Sequence, residues 1–332
     1  MGATHRSVLV ALAGDGVETL ALLVAAWVTG SVALRAQTAA GLAAVAVEVF
    51  LLIGVLSSAR PPDETHPLGY GRERFYWSLF AALGIFIGGG GLGLEQAVHS
   101  AMHPSPVDNY LVAYLVLAAA IALEAFALVV AMRPLLRQAA GRGISLRTHL
   151  LRSTDPALTT VALSGGCAVI GGVAAAVGLV VSQQTGSALP DTLASALIGL
   201  LLLVASVFLL RTNRELLSGR GVPLPMLREM CRIVAAQEGV VDVPELFAVV
   251  VGPSSLIVDG AITFADGLDV LSVEQTINRS ASALRERWPS IEHVYLTPVS
   301  QARPRRATRF SALAQRARSS NSPSPGRAAR MD

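Results

Sequence analysis

The sequence predicts an α-helical membrane protein with six transmembrane helices, followed by a small α+β domain of αββαβ order. Three observations predict it. Six apolar stretches, at roughly 7–28, 32–56, 77–98, 110–132, 157–181 and 191–210, are each long enough to cross a bilayer core of about 30 Å. The loops between them alternate between arginine-bearing and arginine-free. After Leu210 the apolar runs give way to mixed helical and strand patterns.

The elements follow in order. The first span carries Asp15 and Glu18. An acid-bearing apolar region is a poor signal sequence, so the reading is a retained span. The second span carries Glu48 and the fourth Glu124. Between spans two and three, Arg60, Arg72 and Arg74 stand beside an expected aromatic belt of Phe75, Tyr76 and Trp77. Arg133, Arg137, Arg142, Arg147 and Arg152 lie between spans four and five, and Arg211, Arg214 and Arg220 follow span six. The other three loops, around Thr29–Ser31, His99–Asn109 and Ser182–Pro190, have no arginine, and the chain has no lysine. Short basic loops stay cytoplasmic, so both termini are expected inside, with the protein in the plasma membrane.

Beyond the spans, a helix fits 223–237, with Leu224, Leu227, Cys231 and Val234 at helical spacing. Strands fit 245–251 and 255–264 around a Gly252-Pro253-Ser254 turn, with Leu256, Val258 and Ile262 on one face. A second helix fits 269–287 and a last strand 291–296. The expected domains are 1–212 in the membrane, 213–300 in the cytoplasm and a disordered basic tail at 301–332.

Composition excludes other classes. With 52% hydrophobic and 15% charged residues, the chain has more apolar surface than one soluble core of 332 residues takes up. The net charge of +3 reflects loop arginines facing lipid headgroups rather than nucleic acid. Two cysteines, Cys167 and Cys231, supply no disulfide framework. No nucleophile–base pair or phosphate-binding loop is present, so no enzyme and no cofactor are expected.

Several ordered blocks carry a family resemblance: TGSVAL at 29–34, RPPDETHPLGYGRERF at 60–75 and STDPALTTV at 153–161. TGSALPDTLASALIG at 185–199, ELLSGRGVP at 215–223 and HVYLTP at 293–298 continue them. Together they make the chain resemble the cation diffusion facilitators, divalent-metal/proton antiporters, in the branch with a DP segment before span five. The resemblance implies six transmembrane helices, a cytoplasmic αββαβ domain and a homodimer formed through that domain. It implies a transported divalent cation such as zinc, manganese or iron, bound at mid-membrane by carboxylates and histidines of spans two and five. Laid on that pattern, the ligand positions hold Ala40 and Ala44 in span two and Ser164 and Gly165 in span five. In the cytoplasmic domain, Tyr295 and Thr297 replace a His-x-Asp pair.

Intramembrane carboxylates are costly and mark functional sites. Asp15, Glu18 and Glu48 are therefore candidates for a relocated cation site, with Thr19 or Ser164 as companions, against a reading as protonated or interhelical hydrogen-bonding groups. Glu124 resembles a familiar acidic position and is read as structural. Asp63 and His66 match a second, cytoplasmic-loop metal site, but Tyr70 stands where a further histidine would complete it, so a turn-stabilising role competes. Glu95, His99 and His103 form an i, i+4, i+8 stripe, if the helix reaches Pro104. Two functions remain from this reading. One is a cation efflux transporter with an altered site. The other is a transport-incompetent membrane dimer, which could also pair with an active paralogue. A third, a carrier for another small solute, uses the same scaffold.

Overall fold

The computed structural model describes residues 3–29, 32–103, 110–141, 145, 146, 150, 153–187 and 189–300. The expected tail 301–332 and Arg142, Arg147 and Arg152 lie outside them. Contacts divide the chain into two compact units that meet between Ser218 and Gly219.

Helices α1 (Ala3–Thr29), α2 (Val32–Ser57), α3 (Glu73–Met102), α4 (Tyr110–Gly141), α5 (Pro156–Thr185) and α6 (Leu189–Leu217) build the first unit. Five contain stretches long and apolar enough to cross a bilayer. The remaining one, α2, has 26 residues, of which Gly41–Ser57 is its described apolar part. The helices close a ring in the order α1, α2, α3, α6, α5, α4 and back to α1, while α5 also reaches α1, α2 and α3. Their side chains are either packed against neighbouring helices or exposed on the outside of the ring. Leu51, Leu135, Leu158 and Leu209 are fully buried, whereas Leu20, Phe126, Val173 and Val204 are exposed outward.

Local chemistry fixes the helix ends near the arginine-rich loops. Asp155 caps α5 by accepting from the Leu158 amide at 3.4 Å, and Pro156 fills a first-turn position that needs no N–H. The same carboxylate accepts from Thr4 Oγ1 at 2.5 Å and pairs with Arg74 Nη1 at 3.2 Å. Arg74, expected at headgroup level, thus ties α3 to the starts of α1 and α5. Phe75 is fully buried rather than part of an aromatic belt, while Tyr76 remains 45% exposed. Helical phase explains the difference, because adjacent residues point about 100° apart.

Helix α3 is not α-helical throughout. Glu73–Gly84 and Leu92–Met102 are regular, but Ile85–Gly91 is a π-helical segment. Such segments are rare and recur at functional sites.

The second unit contains α7 (Leu224–Ala235), β1 (Val240–Gly252), β2 (Ser255–Phe264), α8 (Val270–Arg287) and β3 (Ile291–Pro298). β1 and β2 form an antiparallel hairpin, and β3 joins β2 in parallel after the α8 crossover. Leu256, Val258 and Ile262 are buried on one face of β2, as the alternation predicts. Gly260 belongs in that strand because a Cβ there would stand 2.7 Å from the Glu245 carbonyl oxygen. On α7 the buried stripe is Leu227, Met230 and Val234, while Leu224 is 45% exposed. The expected stripe had included Leu224, but it sits at the helix start, before the packed face begins.

Candidate functional site

A cavity of about 250 Å³ lies inside the helical ring. Small side chains make the space: Ala43 and Ala44 on α2, Gly84, Gly88 and Gly89 on α3, and Gly165 and Ala168 on α5. The neighbouring helices approach closely around it. A Cβ on Gly84 would meet Val47 Cγ2 at 2.8 Å, and one on Gly89 would meet Leu202 Cδ1 at 2.9 Å. Two of the lining glycines, with Ile85, belong to the π-helical segment.

Three carboxylates face this space: Asp15 from α1, Glu48 from α2 and Glu124 from α4. Glu48 is only 5% exposed, and its Oε2 has no hydrogen-bond partner among the described residues. An ionised carboxylate without partners in an apolar interior is strongly disfavoured, so this group calls for a proton or a cation. Ser164 also lines the cavity and donates its hydroxyl hydrogen to its own helix at Val161 O, 3.3 Å away.

Three of the four positions where the resemblance places metal ligands can be located. Ala44, Ser164 and Gly165 all line this cavity, while the side chain of Ala40 lies outside the described residues. Glu124 Oε2 sits 3.8 Å from where a Cβ of residue 165 would be. The α4 carboxylate therefore stands against the bare backbone at a position where the resemblance expects an acid.

The sequence candidates are distributed unevenly. Asp15 and Glu48 share the cavity, but Glu18 is half-buried and does not line it. Thr19 is buried beside Gly41 on α2 and likewise does not line it. Glu124, read from sequence as structural, is the third cavity acid. The signal that marks Asp15 and Glu48, an acid within an apolar span, applies equally to Glu124. Among the described residues, no three His, Cys, Asp or Glu side chains stand close enough to hold one metal ion between them.

Asp63 and His66 lie in the exposed loop before α3. Asp63 Oδ1 accepts from the Thr65 amide at 2.9 Å, the Thr65 hydroxyl at 2.7 Å and the His66 amide at 2.7 Å. Its Oδ2 accepts from the Tyr70 hydroxyl at 2.6 Å. These bonds, led by Tyr70, hold the carboxyl well below the usual carboxylate range. Both carboxylate oxygens are thus engaged within the turn. The His66 ring packs on Tyr70 at 4.1 Å between centroids.

At the other end of α3 the helix stops at Met102. Glu95, His99 and His103 are exposed, and the two histidine rings stack at 4.7 Å. In the second unit Tyr295 is exposed, and its ring lies nearly parallel to that of His293 at 6.0 Å.

Comparison with known proteins gives a consistent picture. The family model described as the cation efflux transmembrane domain matches residues 8–218. The chain is 30% identical over 251 residues to the proton-coupled zinc antiporter SLC30A9, mitochondrial, of Xenopus laevis, an alignment covering 76% of this chain and 45% of that protein. It is 32% identical over 262 residues to Metal tolerance protein C4 of Arabidopsis thaliana, covering 79% and 56% respectively. Identity to the Homo sapiens SLC30A9 protein is 31% over 229 residues, covering 69% and 40%. The chain thus spans about half the length of these relatives.

Proposed function

Because the chain belongs to the cation efflux family, we propose that it is a secondary transporter exporting divalent metal cations, coupled to protons, through an altered transport site. It is an integral membrane protein of a transporter family. One observation carries the reading of the site. Asp15, Glu48 and Glu124 face the same cavity as Ala44, Ser164 and Gly165, the positions where the resemblance expects ligands. The negative charge comes from different residues of α1, α2 and α4, but it faces the same space.

The chemistry is that of exchange. A dication neutralises buried carboxylates that would otherwise be held as acids, so loading with a cation releases protons and unloading takes them up. Names of relatives point the same way, to proton-coupled zinc antiport and metal tolerance. The proposed orientation places both termini on the arginine-rich side, and the proposed location is the plasma membrane. The relatives named SLC30A9 are mitochondrial by name, so fractionation of a tagged chain tests the location. Assembly as a homodimer through the αββαβ unit is part of the same proposal.

A second reading has its own observation. No three potential ligands among the described residues converge on one point, as a transport-incompetent relative would allow. Such a protein would act as a structural or regulatory dimer, alone or with an active paralogue. Uptake of zinc, manganese, iron and cobalt into proteoliposomes, with and without a pH gradient, separates the two. Cation uptake that responds to the gradient supports transport. No uptake of any ion by a folded, monodisperse protein supports the dimer.

A further inference from the structure

The described side chains that line the cavity offer only oxygen donors to whatever enters it. Among the described residues, its lining contains three carboxylates and one hydroxyl, with no imidazole, thiolate or thioether. Protein zinc sites typically draw on histidine nitrogen and cysteine sulfur, in tight tetrahedra with ligands at about 2.0–2.3 Å. Oxygen-only sets suit hard cations such as magnesium, manganese and calcium.

Size points in the same direction. A cavity of about 250 Å³ has room for several waters beside an ion. The carboxylates come from three separate helices, and among the described residues no three potential ligands stand close enough to share an ion. A cation held here therefore keeps waters between itself and some of the carboxylates. Magnesium-type ions do this readily, because they dehydrate reluctantly and are commonly bound by one or two carboxylates plus water. The buried, unpartnered oxygen of Glu48 supplies the independent sign that the cavity awaits a charged occupant.

We propose that the cavity takes a hard divalent cation of the magnesium or manganese type, with part of its water shell retained, in preference to zinc. Selectivity among such ions is set by ligand type and geometry rather than by raw affinity. This deepens the transport reading and rests on it for the ion's role as cargo.

The test uses the full chain in nanodiscs and proteoliposomes. Manganese binding is followed by loss of the free-ion electron paramagnetic resonance signal, with magnesium and zinc as competitors. Flux of manganese and of zinc is measured in parallel. The expected result is saturable manganese binding that magnesium competes away, and manganese flux exceeding zinc flux at equal free concentrations. Glu48→Gln is expected to weaken manganese binding about 10–100-fold, the range for contacts that act on a metal through an intermediary. Glu124→Gln provides a second variant with the same expected direction. Zinc flux without manganese flux overturns this inference and leaves the transport reading standing. Manganese bound through Glu48 with no flux of any ion leaves the oxygen site standing and overturns transport. Neither binding nor flux overturns both.

Discussion

Ala44 and Glu48 lie one turn apart on α2 and line the same cavity. Four residues advance about 6 Å along a helix and turn about 40° past a full revolution. A carboxylate at 48 therefore serves the space that a ligand at 44 would serve, from one turn farther along. Glu124 on α4 lines the same cavity, against the bare backbone of Gly165. In the proposed transport reading, these two carboxylates supply charge that faces the cavity.

Replacing Glu48 should separate function from stability. Its buried oxygen lacks a partner among the described residues, and such a group costs about 1–3 kcal/mol. Glu48→Leu is expected to raise the thermal midpoint by a few degrees while removing cation flux, the usual trade at a strained site. Differential scanning fluorimetry beside a flux assay reads both. A lowered midpoint would mean that Glu48 has partners in the folded membrane state.

The Arg74–Asp155 pair should prove structural. Both side chains are about 15% exposed, and Asp155 also caps α5 and accepts from Thr4. Asp155→Ala leaves the guanidinium without its partner and the helix without its cap, at a cost of about 3 kcal/mol. A double-mutant cycle with Arg74→Ala, followed by thermal unfolding, should give a coupling above about 1 kcal/mol. Strict additivity would show that the pair does not hold the helix ends together.

Much of this architecture was legible in the sequence. Length and charge placement gave the six helices, and period-2 and period-3.6 patterns gave the αββαβ order. Rotation about each helix axis was harder to read. Glu18 follows Asp15 by three residues, about 60° short of a full turn, and only Asp15 reaches the cavity. Glu124 is marked as an intramembrane acid, yet only tertiary packing sets it against Gly165. The π-helical segment left no readable sign, because the run Gly88–Gly91 reads equally well as close helix packing.

Glycine substitutions should report that packing. A Cβ on Gly178 would stand 2.9 Å from the Pro190 carbonyl oxygen and 3.2 Å from Asp191 Cα, so backbone would have to move. Gly178→Ala is expected to destabilise the α5–α6 hairpin by about 1–3 kcal/mol. Gly166→Ala meets nothing within 4 Å and should be neutral or stabilising by up to about 1 kcal/mol. Equal midpoints for the two variants would contradict the close approach of these helices.

Asp63 should stay ionised in mild acid. Its depressed carboxyl keeps the turn's hydrogen bonds complete above the ordinary carboxylate range near about pH 4, and they are lost only as pH falls through the lowered value. Tyr70→Phe removes the largest cause and should move the titration upward, as followed by carboxyl carbon NMR. Asp63→Asn should leave cation flux unchanged, whereas loss of flux would assign this loop a direct part in metal handling.

Cys231 on α7 should resist alkylation. Burial pushes its thiol up to about 11, so at pH 8 its thiolate fraction is about a hundredfold below that of a free cysteine. Because the neutral form persists below that value, labelling should climb about tenfold per pH unit up to about pH 10, provided the fold holds. Site-resolved mass spectrometry of maleimide adducts measures it, and rapid labelling at neutral pH would place the thiol in a more open setting.

The most direct test of the central claim is the initial rate of manganese uptake into proteoliposomes by wild type and Glu48→Gln, reconstituted to equal density under the same pH gradient. The account predicts clear uptake for wild type and a fall to the protein-free background for the variant. Undiminished uptake by Glu48→Gln would show that the ion crosses without this carboxylate, and the relocated site would be wrong.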